Sequence, residues 1–340
     1  MQKIISVALL IISLVSLNAF ANGEIKQAVP RCGEAIEEQQ IPRKGIESSL
    51  DPSTITPQMI KKKRDEIEKI ALENGISKET AKIAQTLIFD PKVALLEVRQ
   101  PERMLSFREY YEKTMPDYKI LDAKKFLIDN WDELEKIEKQ FKVEKEVIVA
   151  LILIETYLGK VLGTFNIMDS LFTLSLTSYR PEFWQKELLH TFALTEGKKT
   201  LYNRETKGSW AGAVGLVQFI PSSFIKLAKD GDGDGIIDTV ANKMDAYASA
   251  GNYLKEAGWK YQTPYIRKVN LSLTDEEFCQ KAGKAFEDGF LVFPDRKNTE
   301  SVFVAHKNFS VVLLWNRSLF FSTTVGLVYN ELKNVSKNHP

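Results

Sequence analysis

From Glu146 to Gly159 the chain reads EVIVALILIETYLG, and every position from Val147 to Ile154 is apolar. A helix-length run that is apolar on all faces predicts a helix packed on every side. Elsewhere the pattern is amphipathic. From Gln58 to about Leu87, apolar residues fall at helical spacing around a turn at Asn74-Gly75. A second helical block runs from Phe107 through Leu121 to Lys142. Further helices are predicted near 181–196 and 244–257, and the C-terminal VVLLWNRSLFFSTTVGLVYNEL also reads as helical. Residues 262–310 change character: short pieces such as FLVFP and SVFVA alternate with charged turns and predict strands. The expected class is therefore mainly α (α+β). Residues 22–57 read as a polar linker and 58–135 as an N-terminal helical domain. Residues 136–261 and 307–340 form the core, and 262–306 a small β-containing insertion.

The first residues stand apart. Met1 to Ala21 carries one charge, Lys3, then an apolar stretch ending in Ala19-Phe20-Ala21. A basic start, an apolar run and an A-x-A site predict a secretory signal peptide over 1–21. The alternative, a transmembrane anchor, needs about 20 apolar residues, more than this stretch offers. No cysteine follows a Leu-Ala-Gly-like tripeptide, so a lipoprotein anchor has no support. The expected mature protein is exported, periplasmic, soluble and monomeric. Loss of Lys3 leaves 46 − 1 = 45 basic residues against 45 acidic ones. Such a neutral chain has no net pull on nucleic acid or an anionic membrane. Export permits a disulfide between Cys32 and Cys279, but two free thiols fit as well. With three histidines, none spaced with a cysteine as metal ligands are, zinc chemistry is not expected.

Glu155 is the candidate acid. Its helical neighbours Leu151, Ile152, Leu158 and Gly159 bring no cation, and Gly159 reads as the glycine that ends the helix. Desolvation and the negative helix end both favour a carboxyl that keeps its proton near neutrality. Such a group suits general acid catalysis at a glycosidic bond. A glutamate reaching solvent from a helix end is the other reading.

Two further motifs bear on chemistry. Gly208 to Phe224 reads GSWAGAVGLVQFIPSSF, whose small residues allow close backbone approach to a ligand or to another helix. Gln218 is the long polar side chain in its apolar part, and Pro221 fits a helix start or a kink. Asp230 to Asp238 reads DGDGDGIID. Asp230, Asp232, Asp234 and Asp238 occupy positions 1, 3, 5 and 9 of an EF-hand-like loop, with Ile236 offering its carbonyl. Position 12 is Ala241 rather than Glu, and Asp245 is the expected substitute. Structural Ca²⁺ or a solvated acidic loop would each fit, and no cofactor is expected for catalysis. Aromatics around these elements serve as core or as stacking faces for sugars.

IETYLG, GSWAGAVGLVQFIPSSF, the DGDGDG loop followed by GNYLKEAGW, and KNFSVVLLWNRS together resemble the lytic murein transglycosylase B family. The likeness runs from about Gln100 to the C-terminus, with the motifs in the family's order. It implies a lysozyme-like helical core and cleavage of the β-1,4 bond between N-acetylmuramic acid and N-acetylglucosamine in peptidoglycan glycan strands, leaving 1,6-anhydro ends. It also implies that Glu155 is the sole acid/base, so no second carboxylate is needed. Ser209 and Gln218 match residues that orient that Glu and hold the N-acetyl group. Tyr110 matches a substrate-facing Tyr, Tyr253 an active-site Tyr, and Asn316 the Asn of a Tyr-Asn pair; Ser209 and Tyr253 are expected to fix the carboxyl. The acidic loop corresponds to a calcium site. Trp315 and Phe321 stand where the family has Tyr, each losing a hydroxyl, and the leader differs from the family's lipoprotein form. A hydrolytic muramidase or a non-catalytic wall-binding protein would share these motifs.

Overall fold

A computed structural model describes residues 50–98, 105–271, 284–294 and 301–337. The leader, residues 22–49 of the polar stretch, Cys32 and Cys279 lie outside the described residues. The chain divides into two compact units: one draws on Arg43–Gln100 and Gly159–Ser249, the other on Pro101–Leu158 and Ala250–Pro340. Segment 58–98 thus groups with 159–249, whereas the sequence division places it with 107–135.

In the first unit, Thr56 caps the helix Pro57–Glu73 by accepting from the Met59 N–H at 3.2 Å, with proline in its first turn. That helix ends at Asn74, and Gly75 supplies the left-handed turn (φ 82°). Helix Pro91–Val98 packs on Ile167–Thr177, which forms an antiparallel hairpin with Pro181–Glu196. Leu171, Phe172, Trp184, Leu188 and Phe192 on the two hairpin helices are buried. The polar 22–57 stretch ends within this unit: Asp51 caps the short turn Pro52–Thr54, and the Leu50 N–H donates to the Thr177 carbonyl at 2.9 Å. Strand β1 (Phe165–Asn166) pairs antiparallel with β2 (Lys207–Gly208). Helix Pro221–Leu227 starts at its proline, the first of the two readings.

In the second unit, the apolar run becomes the helix Lys145–Thr156, buried from Lys145 to Leu153. It is wrapped by Asp117–Asp129, Trp131–Phe141 and Leu319–Ser336, so an all-apolar surface meets protein on several sides. The helical block 107–142 is made of three helices. Pro116 separates Phe107–Thr114 from Asp117–Asp129. Asn130, whose amide donates to the Phe126 carbonyl at 2.8 Å, breaks the chain before Trp131–Phe141. Strands β3 (Ile266–Val269), β4 (Ala285–Phe286), β5 (Gly289–Val292) and β6 (Val302–Ala305) form an antiparallel sheet of order β3-β6-β5-β4. All four fall in the stretch expected to carry strands. Gly326 lets the helix Leu319–Ser336 approach β3, since a Cβ there would sit 2.2 Å from the Tyr265 ring. Lys243–Glu256 begins in the first unit and ends in the second. Among the described residues, no helix is long and apolar enough to cross a membrane.

Candidate active site

Glu155 is the second-last residue of its helix and is 7 % exposed. Burial pushes its carboxyl up to about 8, and a hydrogen bond from Trp315 pulls the other way. At neutral pH the side chain is therefore a neutral acid. Trp315 ends the helix Lys307–Trp315, and its indole Nε1–H donates to Glu155 Oε1 at 2.9 Å. Trp315, which lacks the hydroxyl of the family's Tyr, thus still brings a hydrogen-bond donor to the carboxyl. Phe321 is 1 % exposed in the helix Leu319–Ser336.

The helix does not run to a glycine cap at Gly159. Tyr157 (φ 48°), Leu158 (φ 58°) and Gly159 (φ 85°) are all left-handed, so the turn follows Glu155 after a single residue. Two consecutive non-glycine residues in this region hold about 1–3 kcal/mol of strain each. Tertiary contacts hold them there. The Tyr157 hydroxyl donates to Asp122 Oδ2 at 2.6 Å, and the Lys119 ammonium lies 5.0 Å from its ring centre. The Tyr157 and Leu158 N–H groups meanwhile satisfy the Leu153 and Ile152 carbonyls at 2.9 and 3.2 Å.

Other expected residues of this unit act at one remove. The Tyr253 hydroxyl donates to the Leu314 carbonyl at 2.7 Å, and its ring lies 4.6 Å from that of Trp315 at 59°. Tyr253 therefore braces Trp315, where the sequence reading has it fixing the carboxyl. Asn316 is 3 % exposed; its N–H donates to the Val312 carbonyl at 2.9 Å and its Oδ1 accepts from the Ser318 N–H at 3.1 Å. These bonds shape the turn between Trp315 and the last helix. Tyr110 is wholly buried against Phe320 (5.3 Å, edge-on), so it is a wall residue rather than a substrate-facing one.

In the first unit, Ser209 Oγ accepts from the N–H groups of Ala213 (3.1 Å) and Ala211 (3.3 Å), fixing the turn that follows β2. Val214 and Phe219 exchange backbone hydrogen bonds and close a tight loop over Gly215–Gln218. Gln218 is left-handed (φ 49°), and its amide donates to the Gly215 carbonyl at 2.8 Å and to the Leu162 carbonyl at 3.4 Å. A non-glycine residue held in that region marks strain at a candidate functional position.

The acidic loop lies in the same unit. Asp230, Asp232 and Asp245 each offer a carboxylate oxygen, and these lie within 4.8 Å of one another. Asp245 is fully buried; burial first, then the charges of Asp232 and Asp230, raise its pKa against the pull of two backbone N–H groups. Like charges gathered at such spacing favour a hard cation with oxygen ligands. Asp234 and Asp238 also accept from backbone: Asp234 Oδ1 from the Ile236 N–H at 2.7 Å, Asp238 Oδ1 from Val240 and Ala241 at 2.8 and 3.0 Å.

Residues 59–329 match the family model described as transglycosylase SLT domain. Membrane-bound lytic murein transglycosylase B of Escherichia coli (strain K12) is 40% identical over 129 residues, 38% of this chain; the match spans only 35% of that relative's length. SltB3 from Pseudomonas aeruginosa, solved in complex with NAG-anhNAM-pentapeptide, superposes with a TM-score of 0.71 at 26% identity, covering 81% of this chain and 79% of that one. The Escherichia coli lytic transglycosylase Slt35, solved in complex with calcium, shares the fold at a TM-score of 0.67 and 23% identity, over 80% of this chain and 93% of its own. The fold is thus mainly α and lysozyme-like, with a small sheet.

Proposed function

Because the chain belongs to the transglycosylase SLT domain family, we propose that it is an exported, periplasmic, monomeric peptidoglycan lytic transglycosylase with Glu155 as its single acid and base. It cleaves the bond between N-acetylmuramic acid and N-acetylglucosamine in glycan strands and leaves 1,6-anhydro ends. The observation that carries this reading is the buried Glu155, whose carboxyl is pushed up to about 8. That value keeps it protonated at working pH and close enough to neutrality to cycle.

In the first step Glu155 gives its proton to the glycosidic oxygen as the bond from that oxygen to C1 breaks. The muramic acetamide shields the positive charge at C1. In the second step the Glu155 carboxylate takes the proton of the same sugar's C6 hydroxyl, and O6 closes on C1. One proton leaves and one returns, and no water is consumed. This explains how one carboxyl suffices where ordinary glycosidases use a pair. The resemblance assigns Ser209 and Gln218 to orienting Glu155 and holding the substrate, with Ser209 on the carboxyl and Gln218 on the N-acetyl group. Tyr253 and Asn316 serve through Trp315, and Tyr110 forms part of the wall behind.

Asp230, Asp232 and Asp245 hold a structural Ca²⁺ in this reading, with Asp234, Asp238 and the Ile236 carbonyl as the further ligands of an EF-hand-like loop. Bound there, the ion neutralises the carboxylates and stiffens the loop. It takes no part in either chemical step.

Mass spectrometry of the sugars released from purified peptidoglycan tests the reading. Anhydromuramic ends that vanish with Glu155→Gln are expected. Reducing ends would make the protein a hydrolytic muramidase, and binding without release would make it a wall-binding relative.

A further inference from the structure

The indole of Trp315 reaches the candidate acid from the far side of the sequence, and its chemistry differs from that of the tyrosine expected there. A phenol can donate and accept, whereas an indole N–H can only donate. Its one proton is aimed at Oε1 of Glu155 at 2.9 Å. In a neutral carboxyl the carbonyl oxygen is the better acceptor, so a donor-only partner on Oε1 leaves the hydroxyl on Oε2. In the carboxylate, the same bond becomes charge-assisted and therefore stronger.

We propose that Trp315 is a positioning residue that pins Oε1 of Glu155 as an acceptor and so commits Oε2 to both proton transfers. This rests on Glu155 being the acid and base. In the first step the Oε2–H bond breaks as an O–H bond forms on the leaving oxygen. In the second the C6 O–H bond breaks and Oε2–H is restored, while Oε1 stays on the indole throughout.

The indole is held for that task. The Tyr253 hydroxyl fixes the Leu314 carbonyl, one peptide before Trp315, and the Tyr253 ring packs on the indole. Asn316 fixes the turn on its other side. Several charged groups on the helices packed around Glu155's helix have partners of their own. Asp122 accepts from Tyr157, Glu138 pairs with Lys145, Glu331 pairs with Lys124, and Lys333 lies 3.8 Å from Glu146. Burial and the indole thus set the proton affinity of Glu155 between them.

The test compares the pH profiles of kcat and KM on peptidoglycan for the full chain, Trp315→Phe and Trp315→Tyr. Without the donor, Trp315→Phe should lose about tenfold in kcat, the worth of one hydrogen bond to a charged group. Its alkaline limb should move upward by about one pH unit, since the bond that favours the carboxylate is gone. KM should stay near the parent value, and Trp315→Tyr should recover both quantities. Independently of turnover, the Trp315 indole ¹H–¹⁵N resonance of the unaltered protein should titrate with Glu155 and stop titrating in Glu155→Gln. A pH-invariant indole, or an unchanged limb and kcat in Trp315→Phe, would overturn the proposal while Glu155 kept its role. Turnover by Glu155→Gln would instead overturn the function itself. Should Trp315→Phe not fold, the indole titration decides.

Discussion

The Leu216 N–H donates to the Thr239 carbonyl at 2.8 Å. This bond ties the loop that carries Gln218 to the chain leaving the acidic loop. On the other side of that loop, the Ile237 N–H donates to the Lys199 carbonyl at 2.8 Å. Order in the carboxylate loop therefore reaches the backbone that holds Gln218.

Gly215 shows how closely the two loops approach. Its φ is 79°, and a Cβ there would lie 2.4 Å from Thr239 Oγ1 and 2.5 Å from the Thr239 carbonyl oxygen. Gly215→Ala adds a left-handed penalty of about 1–2 kcal/mol to an overpacking cost of about 1–3 kcal/mol. We expect a loss of about 3 kcal/mol in urea unfolding, together with reduced turnover. Wild-type stability in that variant would show that Thr239 yields freely.

Removal of calcium should act on the same loop. With Ca²⁺ at 100 times its dissociation constant, the folded state gains about 2.7 kcal/mol. Chelator should lower the melting temperature, and added Ca²⁺ should restore it. Asp245→Asn removes one of the three clustered carboxylates and should abolish the Ca²⁺-dependent shift. A melting temperature indifferent to both chelator and Ca²⁺ would leave the loop as a solvated acidic turn.

How far these features could be read beforehand depended on how local they are. The wholly apolar flank of Glu155 and the proline opening Pro221–Leu227 are short-range patterns, and each marked its helix. Trp315 lies 160 residues from Glu155, so no local pattern links them, and tyrosine-to-tryptophan reads as a lost hydroxyl until the indole is seen to point at Oε1. The left-handed Tyr157 and Leu158 carry no glycine signal, and Asp122 and Lys119 hold Tyr157 from another helix. Tyr110 marks a different limit: a phenol suits a sugar-binding face or a core equally well, and only the structure shows its ring buried against Phe320.

A buried ion pair supports the start of the Glu155 helix. Lys145 Nζ meets Glu138 Oε2 at 2.7 Å, with both side chains about nine-tenths buried. Tyr261 donates to the other Glu138 oxygen at 2.9 Å, and the ammonium lies 4.3 Å from the Trp131 ring centre. Lys145→Met keeps the stem but strands a buried carboxylate, which should cost about 3–5 kcal/mol. Replacing both partners, as Glu138→Leu with Lys145→Met, should recover most of that loss. A double variant no better than the single one would mean that the Tyr261 and Trp131 contacts carry the stability.

Glu155 itself should weaken the fold at neutral pH. Its folded value of about 8 stands above the 4.5 of an ordinary glutamate, so between those values the native state holds a proton that the unfolded chain has released. Stability is then full below about pH 4.5, falls as pH rises, and levels off above about 8. At about 1.4 kcal/mol per unit, the deficit at pH 7 is on the order of 3 kcal/mol. Glu155→Gln keeps the shape and an acceptor for the Trp315 N–H but has nothing to ionise. It should therefore melt roughly 5 °C higher at pH 7 while losing turnover, and match the parent near pH 4. Equal melting temperatures across that range would mean that Glu155 ionises at little cost, and the general acid would have to be sought elsewhere.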